Sequence, residues 1–318
     1  MHCELVVPGL FSGGAVPRLA ALELLLARGR RRAKAPQRLE AWTQEAFELG
    51  EGAFPAGALT LAAAGIDTAK DHWVRADPVH LRVLRDRVVI IPAEALDLPA
   101  EEARAFCEAL NAHFPQMNLV PVQPRRWCAR LADIAEDRPA LELAGQEPDL
   151  RQAGALLTEV QMVLHAHPLN EAREGRGEPP VNSVWLWGGG HAPGASSRWQ
   201  SVASDDPAIL GAARLAGARH RALPRSASEW LERLPGEGRH LAVLDALRAP
   251  LALGSEVTEE KLALERDWFA PLLATLRAER IGMVTVDVPD GRGGVSFETI
   301  RGDLRRFWRL PKSIERYA

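Results

Sequence analysis

The sequence predicts an α/β protein with a mainly parallel sheet flanked by helices, accompanied by a small α+β unit. Two observations carry this. From His240 onward, a strand (His240–Leu244), a long helix (Thr258–Arg277) and a second strand (Ile281–Val288) alternate. Such alternation packs as parallel sheet with right-handed crossovers. Residues 71 to 133 read instead as two strands, one helix and two strands, a ββαββ order with too few helices for a parallel sheet.

The elements follow in order. Glu4 to Val7 is apolar enough for a buried strand, and Pro8 to Gly14 is a loop. Val16 to Arg28 reads as a helix, with Pro17 in its first turn and Leu19, Leu22 and Leu26 on one face. The basic run Arg28, Arg30, Arg31, Arg32, Lys34, Arg38 has no aromatic residue interleaved and is expected to be a solvated helix end and loop. Ala41 to Leu49 is a short helix. Ala58 to Ala64 is small and apolar. His72 to Leu81 alternates and continues into Val88–Ile91, as a β-hairpin does. Pro99 to Phe114 is a helix, with acids in its first turn and Ala103, Phe106, Ala109, Leu110 and Phe114 at helical spacing. Leu119 to Leu131 gives two short strands, and Asp133 to Asp149 a polar connector. A helix beginning near Leu150 is followed, after a break, by the strand Val184–Trp187. Ala192 to Ser204 is loop-like. Asp206 to Gly217 is a helix with an Asp N-cap and Pro207 at its first position. Ala227 to Leu234 is a short helix.

Charge and cysteine usage narrow the function. The net charge is -3, so nothing global recruits nucleic acid or an anionic membrane. No run approaches about 18 apolar residues, and no signal peptide is expected. Cys3, Cys107 and Cys128 are far apart and odd in number, which fits a reducing cytoplasm rather than a disulfide framework. His165 and His167 form an HxH pair with no further ligand nearby in sequence, so no zinc site is expected.

The most informative stretch is Leu156 to Gly190, where a helix, a proline-marked break and the strand Val184–Trp187 run into three glycines. Glycines after a strand let backbone approach an anion closely, or make a tight turn. The residues His167, Pro168, Asn170, Arg173, Asn182, Trp185, Leu186, Trp187, Gly188 and Gly190 resemble the His-Pro-x-Asn-x-x-Arg and Asn-x-x-Trp-Leu-Trp-Gly-x-Gly elements of archaeal-type cofactor-independent phosphoglycerate mutases. Trp73 to Leu81, Gln161-Met162 and Asn182 to Gly188 look closer still to the RpfE-type bacterial regulatory proteins of the same superfamily. The resemblance covers roughly residues 70 to 191, and the C-terminal third only in outline.

This resemblance implies an alkaline-phosphatase-like core, residues 1–70 and 150–318, with an inserted α+β domain at 71–149. Active members hold two divalent metals, typically manganese, and a serine that is transiently phosphorylated. The chain departs from that pattern. It opens Glu4-Leu5-Val6-Val7-Pro8-Gly9, where the family has an Asp-Gly strand end, and no aspartate precedes Asp67. Asp245-Ala246-Leu247-Arg248 stands where an Asp-x-x-Gly-His element is expected, and Asp287-Val288 where an Asp-His pair is expected. Asp245 and Asp287 alone cannot balance two hard cations. No metal and no cofactor is therefore expected, with two Mn ions as the alternative if the chain is an enzyme.

The candidate binding residues are His167, Asn170, Arg173, Asn182, Trp187, Gly188, Gly189 and Gly190. Each has a structural alternative. His167 packs or caps a helix; Asn170 and Arg173 clamp a phosphate or carboxylate, or pin the connector through backbone carbonyls. Asn182 satisfies backbone groups at the strand entrance. Trp185 and Trp187 share a strand face and pack a core. Arg75, His80 and Arg82 are further candidates for a ligand held between domains, or are strand-surface residues. The expected function is a cytoplasmic regulatory or anionic-metabolite-binding protein, with an active phosphoglycerate mutase or metal-dependent phosphohydrolase as the alternative. A small anionic metabolite or a protein is the expected partner, rather than nucleic acid or a membrane.

Overall fold

The computed structural model describes residues 1–14, 18–68, 70–132, 136–148 and 154–317. The chain divides into two compact units, residues 1–50 with 194–318, and residues 51–193.

The first unit is built on a seven-stranded sheet. Its strands, numbered along the whole chain, are β1 (His2–Val6), β2 (Arg30–Ala33), β8 (Ser201–Ala203), β9 (Arg219–Arg221), β10 (Arg239–Val243), β11 (Met283–Val288) and β12 (Val295–Ile300). The sheet order is β2-β12-β11-β1-β10-β8-β9. β11, β1, β10, β8 and β9 are parallel, while β12 and β2 close one edge antiparallel. The central strands are buried on both faces, so they read as continuous apolar runs. Helices α1 (Ala20–Arg28), α2 (Leu39–Ala46), α7 (Pro207–Leu215) and α8 (Ala227–Glu232) link or follow strands. α9 (Arg248–Ala252) follows β10, and α10 (Thr258–Leu264) continues through a π turn at Glu265–Phe269 into α11 (Ala270–Arg277). The π turn meets Pro271, which has no N–H to give the helical ladder. Leu264, Trp268, Phe269, Leu272 and Leu276 from this run join Leu5, Leu22, Trp230 and Val286 in the core.

The second unit is antiparallel. Strand β3 (Trp73–Val83) is its centre and pairs with β4 (Val88–Ile91), β6 (Arg126–Arg130) and β7 (Ser183–Gly190); β5 (Val120–Gln123) pairs with β6. Helices α4 (Ala100–His113) and α5 (Gly154–His165) bury Phe106, Leu110, Val160 and Leu164 with Val74, Trp127 and Leu186. Ala58 and Leu61 of α3 (Ala56–Ala63) pack with Trp73 and Cys128 in a separate cluster. Helix α6 (Pro168–Gly175) follows α5.

Several expectations change. The basic run is an exposed edge strand, β2, because its backbone pairs with β12 while its arginines stay in water and guard the edge. Strand β8 replaces the end of the loop expected over Ala192–Ser204, and β9 and β12 stand where no element is expected; β8 and β9 have three residues each, too few to show a period. Gly188 to Gly190 end strand β7 rather than forming a turn. The pairing register slips between Trp73 and Arg75, opposite these glycines, and Gly188 takes φ +59°, so the glycines accommodate a bulge. The two units divide at 50/51 and 193/194, with α3, α5 and β7 packed on β3 and its neighbours. A Cβ on Gly57 would stand 2.5 Å from the Val74 backbone, which shows how closely α3 lies on β3. The helix starts at Val16 and near Leu150, and part of the 133–149 connector, fall outside the described residues. Among the described residues, no helix is long and apolar enough to cross a membrane.

Candidate functional site

In a parallel sheet, ligands gather beyond the carboxyl ends of the strands. In the first unit those ends carry Val7 after β1, Asp245 after β10, Asp287 near the end of β11, and Asp205-Asp206 after β8. These positions include both carboxylates that the sequence singled out.

Asp287 is buried. Its Oδ2 accepts from Lys34 Nζ and, at 3.0 Å, from Trp42 Nε1, while Oδ1 has no partner. Burial pushes its carboxyl above the usual range, against the pull of Lys34 and Trp42. Trp42 lies 5.9 Å from the Trp199 ring, and Trp199 Nε1 donates to Glu4 Oε2 at 2.9 Å. Glu4, buried in the middle of β1, also takes Arg198 at 2.7 Å and Arg239 at 3.2 Å. Burial pushes Glu4 up, but Arg198, Trp199 and Arg239 together hold it below the ordinary carboxylate range. A cavity of about 130 Å³ lies beside this chain of contacts, lined by Lys34, Gln37, Trp42, Ser196 and Arg198, with Glu45 and Glu48 at its wall.

Asp245 is half-buried. Burial, then the neighbouring Asp206, push its carboxyl up to about 6, with Arg248 opposing. Arg248 in turn pairs with the buried Glu40 at 2.7 Å, and Glu40 Oε2 has no partner. Asp206 is committed to capping α7 through Ala208 N at 2.8 Å, and Asp205 accepts from Leu223 N at 3.0 Å.

This donor set does not fit a pair of divalent cations. Among the described residues, no three His, Cys, Asp or Glu side chains converge as metal ligands. The stronger point is chemical. The inner oxygen of Asp287 faces an ammonium, Glu40 faces a guanidinium, and β1 ends in Val7-Pro8-Gly9 with no carboxylate. Asp287 and Glu40 thus already have their positive charge from the chain itself, while Asp205 and Asp206 are bonded to backbone N–H groups.

The sequence-chosen ligand residues all lie in the other unit. His167 caps α6, its Nδ1 accepting from Leu169 N at 3.2 Å, and its ring lies 4.8 Å from Phe106. Asn170 is buried, donating to Leu164 O and Val181 O and accepting from Val181 N, all at 2.8 Å. Arg173 is fully buried and donates to Pro179 O, Asp97 O and Glu102. Asn182 exchanges two bonds with Leu81 of β3. Trp187 Nε1 donates to Asp77 at 2.9 Å, beneath Arg75, which pairs with the same aspartate at 2.5 Å. His80 bonds Pro180 O at 3.0 Å. Gly188, Gly189 and Gly190 belong to β7, and a Cβ on Gly188 or Gly190 would meet Ala56 or Pro55 within 2.7 Å. These side chains therefore hold the α5–α6–β7 connection and the β3–β7 pairing.

Sequence reasoning missed Lys34, Glu40, Trp42, Arg198 and Arg248. Lys34 sat inside the basic run, where nothing marked it out from the arginines. The Glu40–Arg248 pair spans 208 positions and leaves no local pattern.

No family model and no curated protein matches the chain. Among solved structures, the chain is similar to the PH0037 protein from Pyrococcus horikoshii, with 14% identity, 94% of this chain and 87% of that chain covered, and a TM-score of 0.57. It also aligns with the cofactor-independent phosphoglycerate mutase from Thermoplasma acidophilum, with 16% identity, 99% and 94% of the two chains covered, and a lower TM-score of 0.48. At these identities the likeness is one of fold: a mixed α/β architecture with a mostly parallel central sheet flanked by helices.

Proposed function

We propose that this chain is a phosphoglycerate-mutase-like protein of alkaline-phosphatase-like fold in which internal cations replace the dinuclear metal site. It acts as a cytoplasmic regulatory or anionic-metabolite-binding protein, in keeping with the RpfE-type resemblance of residues 73–81 and 182–188. The single observation that carries this reading is Lys34 bonded to Asp287. Asp287 stands where the resemblance expects a metal-binding Asp-His pair, and an ammonium there supplies charge without Lewis acidity or a lowered serine pKa. Lys34 and Arg198 also give the adjoining cavity two cationic walls suited to a small carboxylate or phosphate. The three cysteines are buried and unpaired, as a reducing compartment allows.

The test is incubation with 3-phosphoglycerate and manganese, read by phosphorus NMR. This reading predicts no 2-phosphoglycerate and no free phosphate. Formation of either product at a catalytic rate, lost when manganese is chelated, replaces it with the active-mutase or phosphohydrolase alternative.

A further inference from the structure

The basic run acquires aromatic neighbours only in three dimensions. Residues 28–34 and 301–312 contain ten basic side chains and one acid, Asp303. The fold lays the second segment against the first: Arg306 Nη1 donates to Arg28 O at 3.0 Å and Arg309 Nη1 to Gly29 O at 2.9 Å. A recess of about 400 Å³ opens between them, lined by Arg30, Arg31, Arg306, Arg309 and Tyr317. Arg30 and Arg31 are exposed and have no ion-pair partner among the described residues. Between the two recess arginines of the C-terminal segment stand Phe307 and Trp308, 74% and 66% exposed, with rings 5.2 Å apart at 82°.

We propose that this face binds single-stranded nucleic acid. Guanidinium forks along β2 and the recess take successive backbone phosphates, and Phe307 and Trp308 offer ring faces to unstacked bases. Arginine binds phosphate bidentately, and base–aromatic stacking tolerates any sequence. Two large rings exposed between Arg309 and Arg306, the latter paired with Asp303 at 2.8 Å, are poorly suited to plain water, and the rings at right angles leave each other a free face. A flat anionic membrane is the weaker match, because the cations line a concave recess instead of ringing an apolar surface. Duplex is disfavoured because stacking on these rings requires bases freed from their partners. Sequence patterning marks the basic run as able to contact phosphates but makes nucleic acid the weaker reading, since no aromatic lies within residues 28–38 and the net charge is negative.

The test is fluorescence anisotropy of a labelled mixed-sequence 20-nucleotide single strand with the full chain, in about 50 mM and 200 mM salt. Saturable binding that weakens with salt is expected, and a matched duplex binds at least about tenfold more weakly. The double variant Arg30→Ala with Arg31→Ala lowers the magnitude of the log–log salt slope by about 1.4. Trp308→Ala weakens binding roughly five- to a hundredfold with the slope unchanged. All three residues named for substitution are exposed, and unaltered circular dichroism and melting temperature confirm that each variant folds. The control Arg85→Ala with Arg104→Ala, on the other unit, leaves binding intact. The proposal is overturned by no saturable binding, by equal affinity for duplex, or by equal loss in the control. Binding to phosphatidylserine vesicles, abolished by Trp308→Ala, in place of oligonucleotide binding overturns it as well.

Discussion

Lys34, the residue after edge strand β2, donates its ammonium to Asp287 at the far end of β11, so that an internal cation sits on the carboxylate near the sheet's carboxyl edge. Asp287 keeps one oxygen without a partner, and burial holds its carboxyl above the usual range.

Replacing Lys34 with Met leaves Asp287 buried without its counter-charge. A loss of about 2–3 kcal/mol is expected near pH 7.5, toward the low end for a broken buried pair because Lys34 is partly exposed. The folded pKa of Asp287 is already raised, so the native state holds this proton to higher pH than the unfolded chain does. Its contribution to stability therefore falls as pH rises from the ordinary aspartate value through the raised one. Removing Lys34 raises the folded value further. Urea melts should show a smaller deficit for Lys34→Met near pH 4 than near pH 7.5; a pH-independent deficit would show that the charge pair is not its cause.

Asp245 gives the same sign with a defined window. Its carboxyl sits at about 6 in the fold against 3.8 ordinarily, so its term costs stability progressively between about pH 4 and 6. Asp245→Asn should gain about 1–2 kcal/mol at pH 7, discounted from the full shift because the group is half-exposed. The gain should vanish near pH 3.5. Carbon-13 NMR of the carboxyl should place its midpoint near 6 in the native protein, and Arg248→Met should move that midpoint upward.

Asn170 holds the α5–α6–β7 connection through three backbone bonds. Asn170→Ala strands two carbonyls and one N–H in the interior, and should cost about 2–3 kcal/mol. If the residue served mainly to clamp a ligand, stability in the absence of ligand would be nearly unchanged.

Gly188→Ala combines a left-handed backbone at φ +59° with a Cβ 2.6 Å from that of Ala56. A loss of about 2–4 kcal/mol is expected from strain and overpacking together. Hydrogen exchange should show the loss concentrated in β3, β7 and α3.

The sequence exposed those parts of the fold that repeat within a short window. Strand β1, the hairpin β3–β4, helix α4 and the run from Thr258 to Arg277 all carry a period of 2 or 3.6, or an unbroken apolar run. Strands β8 and β9 carry no such signal, because three residues cannot show a period. Strand β2 was hidden because its pairing with β12 depends on residues 295–298, far along the chain. The site was legible only in its two aspartates. Asp245 and Asp287 stood out because the family resemblance expects metal-binding elements at those positions, whereas Lys34 beside Asp287 and the Glu40–Arg248 pair come together only through tertiary packing. The histidine, asparagine and arginine of residues 167–173 drew notice as polar residues around a proline. Their bonds prove to go to backbone N–H and carbonyl groups and, for Arg173, also to Glu102, an arrangement that no spacing rule distinguishes from a ligand clamp.

The central claim is that cations of the chain itself occupy the place of a dinuclear metal. Calorimetric titration of the metal-free protein with manganese tests it most directly. The account predicts no heat of specific binding up to millimolar metal, with the Lys34–Asp287 and Arg248–Glu40 pairs intact. Tight uptake of about two ions per chain would contradict it, and would show that those pairs open to form a metal site.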